Sequence, residues 1–241
     1  MANVNQYTAA LRDAGTHHIY SDFDRDQADT EWVDTITDTG TVLMGDATDG
    51  TAVLTPSDGT VSDNDEAYLA TPNEGFIFAA GRPIYGRARI KFTEVAAGVA
   101  NVAFGFQNAV GANSILDDGA GLKVSGSTLG IYKVDGESVW RCVSSCNGTS
   151  TVTASSKAAV AATWYKLEIF CYDTGLSTKM GVVYKVDGEY LKDSNGNVIR
   201  HEVAVASATE MSVFFGIKLG AATNNDTLIV DNVYVSQKRS A

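Results

Sequence analysis

Side chains of alternating character run through most of this chain, and no other feature constrains its fold as strongly. In Ile84-Tyr85-Gly86-Arg87-Ala88-Arg89-Ile90-Lys91-Phe92 the even positions are apolar or small and the odd ones mostly basic. Successive side chains of a β-strand point to opposite faces, so Ile84, Ala88, Ile90 and Phe92 are assigned to a core and Arg87, Arg89 and Lys91 to a wet face. The same period places Tyr165, Leu167, Ile169 and Cys171 on one face, and likewise Met180, Val182, Tyr184 and Val186. Met211, Val213, Phe215, Ile217 and Leu219 repeat it, and Val102, Phe104 and Phe106 supply another inward face. No segment keeps a helical period long enough to carry a fold.

Turn chemistry agrees with strands. Tyr-Lys-Val-Asp-Gly-Glu occurs at Tyr132–Glu137 and again at Tyr184–Glu189. Asp-Gly between alternating runs favours a type I′ hairpin, because both positions tolerate positive φ. Asp187-Gly188 therefore joins Lys179–Val186 to Glu189–Lys192, and Asp135-Gly136 joins Leu129–Val134 to Ser138–Val143. Nothing else repeats at that spacing, so the shared hexapeptide reads as reuse of a good turn, not as a duplication. About a dozen short strands are expected, enough for two sheets packed face to face with one wet face each. The fold class is all-β: a two-sheet antiparallel jelly-roll sandwich over residues 30–241. A chain of 241 residues can bury such a core without disulfides.

The first residues differ. Met1 to Asp29 lacks the alternation and ends in the acidic run Ser21-Asp22-Phe23-Asp24-Arg25-Asp26-Gln27-Ala28-Asp29. Thr8–Ala14 could form about two helical turns, which is marginal in isolation. Residues 1–29 are accordingly expected to be an N-terminal arm that attaches the protein to something else. Tyr7, Leu11, Ile19, Tyr20 and Phe23 are its apolar anchors, beside His17 and His18.

Charge narrows the partners. The net charge is −11, with 29 acids against 18 bases. Nucleic-acid affinity rests on neutralising phosphates with Lys and Arg, so nucleic acid is not expected as a partner. Anionic membrane surfaces are disfavoured on the same ground. The segment Met1–Gln6 shows no basic run followed by an apolar one, and no stretch approaches the roughly 20 apolar residues of a membrane span. Cys142, Cys146 and Cys171 are an odd number and read as reduced thiols of a protein made in the cytoplasm.

The familiar chemistries fail one by one. His201-Glu202 begins a metalloprotease pattern, but position 205 is Val and the context is a strand, so His201 reads as a surface histidine. His17 and His18 are adjacent and point apart in any regular conformation. No G-x-S-x-G elbow is present. Gly119-Ala120-Gly121 lacks the third glycine of a dinucleotide loop and reads as a turn. Glycoside hydrolysis needs two carboxylates flanking the scissile bond. Glu168 and Asp173 are five positions apart, hence on opposite faces; Glu189, Asp193 and Glu202 fall around turns; no E-x-D-x-x-E occurs. Asp22, Asp24, Asp26 and Asp29, and the run Asp193-Ser194-Asn195-Gly196-Asn197, offer oxygens without the glycine and terminal glutamate of a calcium loop. The expectation is no enzyme, no cofactor and no metal. Arg87, Arg89 and Lys91 form a basic stripe that is either a solvated face or a contact for an acidic partner. Trp140 and Trp164 either stack on sugars or cover the edge of the sandwich.

Several segments nevertheless look familiar. Ala67–Thr71, Gly86–Phe92, Val102–Asn108, Asp117–Gly121, Ala206–Met211 and Val230–Val235 resemble structural proteins of tailed bacteriophages, over roughly Asp58 to Val235. The resemblance implies a concanavalin A or laminin-G type jelly roll and a place in the virion, with head decoration (cement) proteins as the typical case. It implies a protein on the head exterior that bridges neighbouring major capsid subunits, as a homotrimer on threefold positions. Tyr7, Leu11, His17, His18, Ile19, Tyr20, Phe23, Arg87, Arg89 and Lys91 are then the candidate capsid contacts. The alternative is a glycan-binding module, or another tail or fibre component of the virion.

Overall fold

The computed structural model describes residues 16–24, 31–45, 50–57, 59–94, 99–176, 178–205, 208–221 and 225–238. The strands begin with β1 (Thr16–Ser21), β2 (Val33–Thr37), β3 (Thr41–Met44), β4 (Ala52–Thr55), β5 (Glu66–Ala70) and β6 (Phe76–Phe78). Then come β7 (Ile84–Thr93), β8 (Ala100–Gln107), β9 (Thr128–Lys133), β10 (Val139–Cys146), β11 (Thr149–Ala158) and β12 (Tyr165–Asp173). The last are β13 (Lys179–Val186), β14 (Glu189–Tyr190), β15 (Arg200–Ala204), β16 (Thr209–Leu219) and β17 (Thr227–Lys238). Among the described residues there is no helix.

Two antiparallel sheets form the sandwich. The nine-stranded sheet runs β14-β13-β12-β7-β17-β4-β3, with β1 along the end of β17 that β4 leaves free and β15 along β13. The eight-stranded sheet runs β11-β10-β9-β8-β16-β5-β2, with β6 beside β16. The assigned inward residues are buried between them: Ile84, Ala88, Ile90 and Phe92 of β7 face Val102, Phe104 and Phe106 of β8 and the apolar set of β16. Phe104 stacks on Phe215 at 5.2 Å, and Trp140 stands edge-on to Phe92 at 6.0 Å and to Tyr165 at 5.2 Å. Trp140 is therefore a core residue. Cys142, Cys146 and Cys171 are buried free thiols, and burial pushes the Cys171 thiol up to about 12.

One hairpin follows its turn chemistry and the other departs from it. Asp187 and Gly188 both take positive φ, 55° and 85°, between β13 and β14, as a type I′ turn requires. At Asp135-Gly136 only Gly136 is left-handed, and the connection from β9 to β10 is longer, spanning Val134 to Ser138.

Two expectations are corrected. The first is the boundary at residue 29. Thr16–Ser21 is a strand of the nine-stranded sheet, paired with β17 from Thr16↔Lys238 to Ser21↔Val233. Phe23 is buried 2% exposed against Trp32, so 16–24 belongs to the sandwich and not to an arm. An edge strand needs few apolar residues, and Ile19 with Phe23 suffices here, which is why the alternation was absent. Tyr7, Leu11, Asp26 and Asp29 lie outside the described residues.

The second concerns wet faces. The eight-stranded sheet is covered on its outer side by the segment 108–127, which connects β8 to β9. Ile115 and Leu122 from that segment pack on Tyr68, Ala103, Tyr132, Val143 and Phe214 in a second apolar cluster. Gly130 makes room for it: a Cβ there would stand 2.6 Å from Leu122 Cδ1. Every residue of β5, β8 and β9 is consequently buried. Among the described residues the eight-stranded sheet is exposed mainly at its margins, β2 and β11, whereas the nine-stranded sheet keeps an open outer face across its central strands.

Candidate functional site

Buried polar groups in this fold hold structure together. Under the 108–127 cover, Lys218 Nζ lies 3.3 Å from Glu66 Oε2, with both side chains almost fully buried, and it also pairs with Asp117 and donates to Asn113 Oδ1 at 2.7 Å. The Tyr68 hydroxyl donates to Glu66 at 2.6 Å and accepts from Ile115 N at 2.9 Å. Burial, and after it the Glu66 carboxylate, hold the Tyr68 phenol protonated well above its ordinary range. Glu66 also accepts from Asn113 N at 2.9 Å, so the cluster clamps the segment onto the sheet. Its charges are spent on one another.

His201 is a third correction. It is buried, 3% exposed, because β15 pairs His201 with the inward Val182 of β13. Its Nδ1 lies 2.9 Å from Ser144 Oγ and 3.2 Å from the Tyr184 hydroxyl, and its Nε2 lies 3.1 Å from Thr153 Oγ1. Both nitrogens of a neutral ring are thus satisfied. Burial lowers its pKa from 6.5 to about 4. Since the unfolded ring takes up a proton near 6.5, this histidine's share of stability is intact above that pH and is lost as pH falls toward 4. The loss amounts to roughly 3 kcal/mol. Urea melts at pH 7 and pH 4.5 should show wild type losing about 2–3 kcal/mol more than His201→Gln; equal losses would show that the ring is not held neutral.

Among the described residues no group of three His, Cys, Asp or Glu side chains is placed to hold an ion. Asp193 accepts from the backbone amides of Asn195 and Asn197, both at 2.9 Å, and these bonds lower its pKa. That is an Asn-Gly turn closing on itself. Asp22 and Asp24 line a hollow with Tyr20, Asp231 and Asn232.

The open outer face of the nine-stranded sheet collects the remaining chemistry. One cross-strand row runs Tyr20, Tyr234, Arg87, Glu168, Lys185, Tyr190 through β1, β17, β7, β12, β13 and β14. Its six strands span roughly 24 Å at the spacing of a sheet. The next row runs His18, Ser236, Tyr85, Phe170, Val183, Arg200. Tyr85 lies 4.9 Å from Phe170 and 6.1 Å from Tyr234, so a band of rings crosses the face. Tyr20, Phe170 and Tyr190 are about half exposed, at 53%, 46% and 47%. Tyr85 donates to Glu168 at 2.7 Å; burial first, then this carboxylate, raises its pKa. Trp164 is partly covered by Arg89 and Lys91, at 4.3 and 4.9 Å from the ring centroid.

Of the residues singled out from sequence, the fold brings His18, Tyr20, Arg87, Arg89 and Lys91 onto this one face. His17 and Ile19 turn the other way, His17 against Phe76 at 4.9 Å. Phe23 is in the core, out of reach of any partner. Tyr85, Phe170, Tyr172, Tyr234, Lys185 and Arg200 were not among them. Their signal is the outward half of the alternation in β7, β12, β13, β15 and β17, which stands out in the sequence only at Arg87, Arg89 and Lys91 of β7.

No protein-family model and no curated protein matches the sequence. Solved structures do match in fold. A protein of unknown function, SO2946 from Shewanella oneidensis MR-1, superposes with TM-score 0.61 at 13% identity, covering 100% of this chain and 96% of its own. The endo-1,3-beta-glucanase from Streptomyces sioyaensis gives 0.59 at 16% identity, with 94% and 98% covered. The carbohydrate recognition domain of Emp47p gives 0.57 at 9%, with 92% and 95% covered. At such identities the likeness speaks for the fold alone, a two-sheet jelly-roll sandwich of the kind these structures share.

Proposed function

We propose that the protein is a non-catalytic binding module that takes a glycan chain on the outer face of its nine-stranded sheet. The observation that carries this reading is the band of rings on the open outer face of this sheet, where Tyr20 and Phe170 are about half exposed and Tyr234 and Tyr85 are partly buried between them. Sugars present an apolar C–H face that packs on such rings, while hydroxyls meet the polar groups between them. The fold shared with a carbohydrate recognition domain and with a glucanase supports a sugar as ligand. Hydrolysis is not part of the reading. Glu168 is tied to Tyr85 and Lys166, Asp231 to Arg89, and Glu202 to Lys179, so these outward carboxylates serve as ion-pair partners. Immobilised polysaccharides should retain the protein without releasing sugar. Phe170→Ala and Tyr20→Ala should each weaken retention about 3- to 10-fold at unchanged melting temperature. Failure of every polysaccharide tested, or release of reducing ends, would overturn the proposal.

A second reading is favoured by the segments that resemble tailed-phage structural proteins. In it the protein decorates a virion head, bridges major capsid subunits as a homotrimer, and uses the same face as its contact. Many weak contacts fixed side by side in a lattice act together. Heads lacking the protein should then rupture at lower temperature and recover when it is added back at a fixed ratio; heads that are equally robust without it would remove this reading.

A further inference from the structure

We infer that the glycan is an anionic one, carrying carboxylate or sulfate groups. The inference rests on the glycan reading above and adds the charge of its ligand. The chain as a whole carries −11, yet the open face is dominated by cations. Arg87, Lys91, Lys185 and Arg200 all point outward from it, and among the described residues none has a carboxylate within ion-pair distance. On an acidic protein, free carboxylates are abundant, so leaving four cations unpaired on one face is a concentration of charge in need of a counterpart. Fields at a surface are screened within about 8 Å at physiological salt. A ligand in contact with this face therefore meets its local positive charge and not the protein's net negative charge.

Placement favours a sugar polymer over a folded acidic partner. The cations are interleaved with the rings: Lys185 Nζ lies 4.4 Å from the Tyr190 centroid, Arg200 5.4 Å from Tyr172, and Lys91 4.9 Å from Trp164. Along the central row a ring, a cation, a carboxylate, a cation and a ring succeed one another on neighbouring strands, from Tyr234 to Tyr190. The step between strands, roughly 4.8 Å, is comparable with one sugar residue of an extended chain. A uronate or sulfated residue can thus lay its C–H face on one ring while its acid group meets the cation one strand away. Cations resting on rings are already ordered, which lowers the entropy lost when they pair with a ligand.

The test measures binding of polygalacturonate and chondroitin sulfate, and of the neutral chains dextran and laminarin, by titration calorimetry at 50 and 500 mM salt. The anionic chains should bind at least about tenfold tighter at low salt and lose that advantage at high salt. The triple variant Arg87→Gln, Lys185→Gln, Arg200→Gln should lose about tenfold toward the anionic chains and clearly less, within about threefold, toward the neutral ones, because glutamine keeps a donor for hydroxyls and removes only the charge. Its melting temperature serves as the folding control. Neutral chains binding as tightly as anionic ones would overturn the charge inference and leave the glycan reading standing. Binding of an oligothymidylate with no polysaccharide bound would overturn both.

Discussion

Replacing Lys218 by methionine should destabilise the protein by about 3–5 kcal/mol. Lys218 and Glu66 are 1% and 2% exposed, so the variant leaves the Glu66 carboxylate buried with no cation beside it. The paired variant Glu66→Gln, Lys218→Met removes both charges and should recover most of the loss, because an apolar or neutral replacement of a whole buried pair is close to neutral. The segment 108–127 loses its clamp in the single variant, since Lys218 also holds Asn113, Asp117 and the carbonyl of Ile115. Protease cutting within 108–127 should therefore rise along with the loss of stability. Equilibrium urea denaturation measures the first effect; a single variant within about 1 kcal/mol of wild type would mean that water reaches the pair.

Phe23→Ala should cost a similar amount, about 3–5 kcal/mol. The Phe23 ring lies 5.4 Å from Trp32, whose ring lies 5.9 Å from Phe215 at the centre of the eight-stranded sheet. The backbone at Phe23 takes a φ of 53°, a left-handed conformation unfavourable for a bulky side chain. The chain accepts that strain to turn the ring inward directly after β1. Tyr20→Ala, three residues earlier and outward-facing, should change stability by only a few tenths of a kcal/mol. Thermal and urea unfolding of the two variants separate the alternatives: an arm outside the sandwich would make both silent, whereas an integral edge strand makes Phe23 costly and Tyr20 cheap.

The sequence was easiest to read where a strand has one wet face. In β7, β12 and β13 the outward positions are charged and the inward ones apolar, so the period is plain and the core assignments hold. It was hardest where both faces are covered. Ala67–Ala70 and Ala100–Gln107 carry no charged outward set, because Ile115 and Leu122 lie over them, and apolar residues spaced as irregularly as Val110, Ile115, Leu122 and Val124 in a Gly-rich segment give no periodic signal. β1 was missed because its inward positions are His17 and Ile19 with Ser21, too polar to stand out, and its docking depends on the distant β17. His201 was read as exposed, although His201, Val203 and Val205 share a face. The charged neighbours Arg200 and Glu202 mask that period. The candidate face was legible in part: Arg87, Arg89 and Lys91 mark it, but only the pairing of β7 with β12 and β17 shows that Tyr85, Phe170 and Tyr234 stand together.

The central claim is that this jelly roll binds through the outer face of its nine-stranded sheet. Backbone amide shifts of isotope-labelled protein, followed while an oligosaccharide fragment of a retained polysaccharide is added, test it most directly. The account predicts perturbations confined to the strands of this face, at 18–20, 85–91, 164–172, 183–185, 190, 200 and 232–236, with 108–127 unmoved. Perturbations centred on 108–127, with the open face silent, would contradict it.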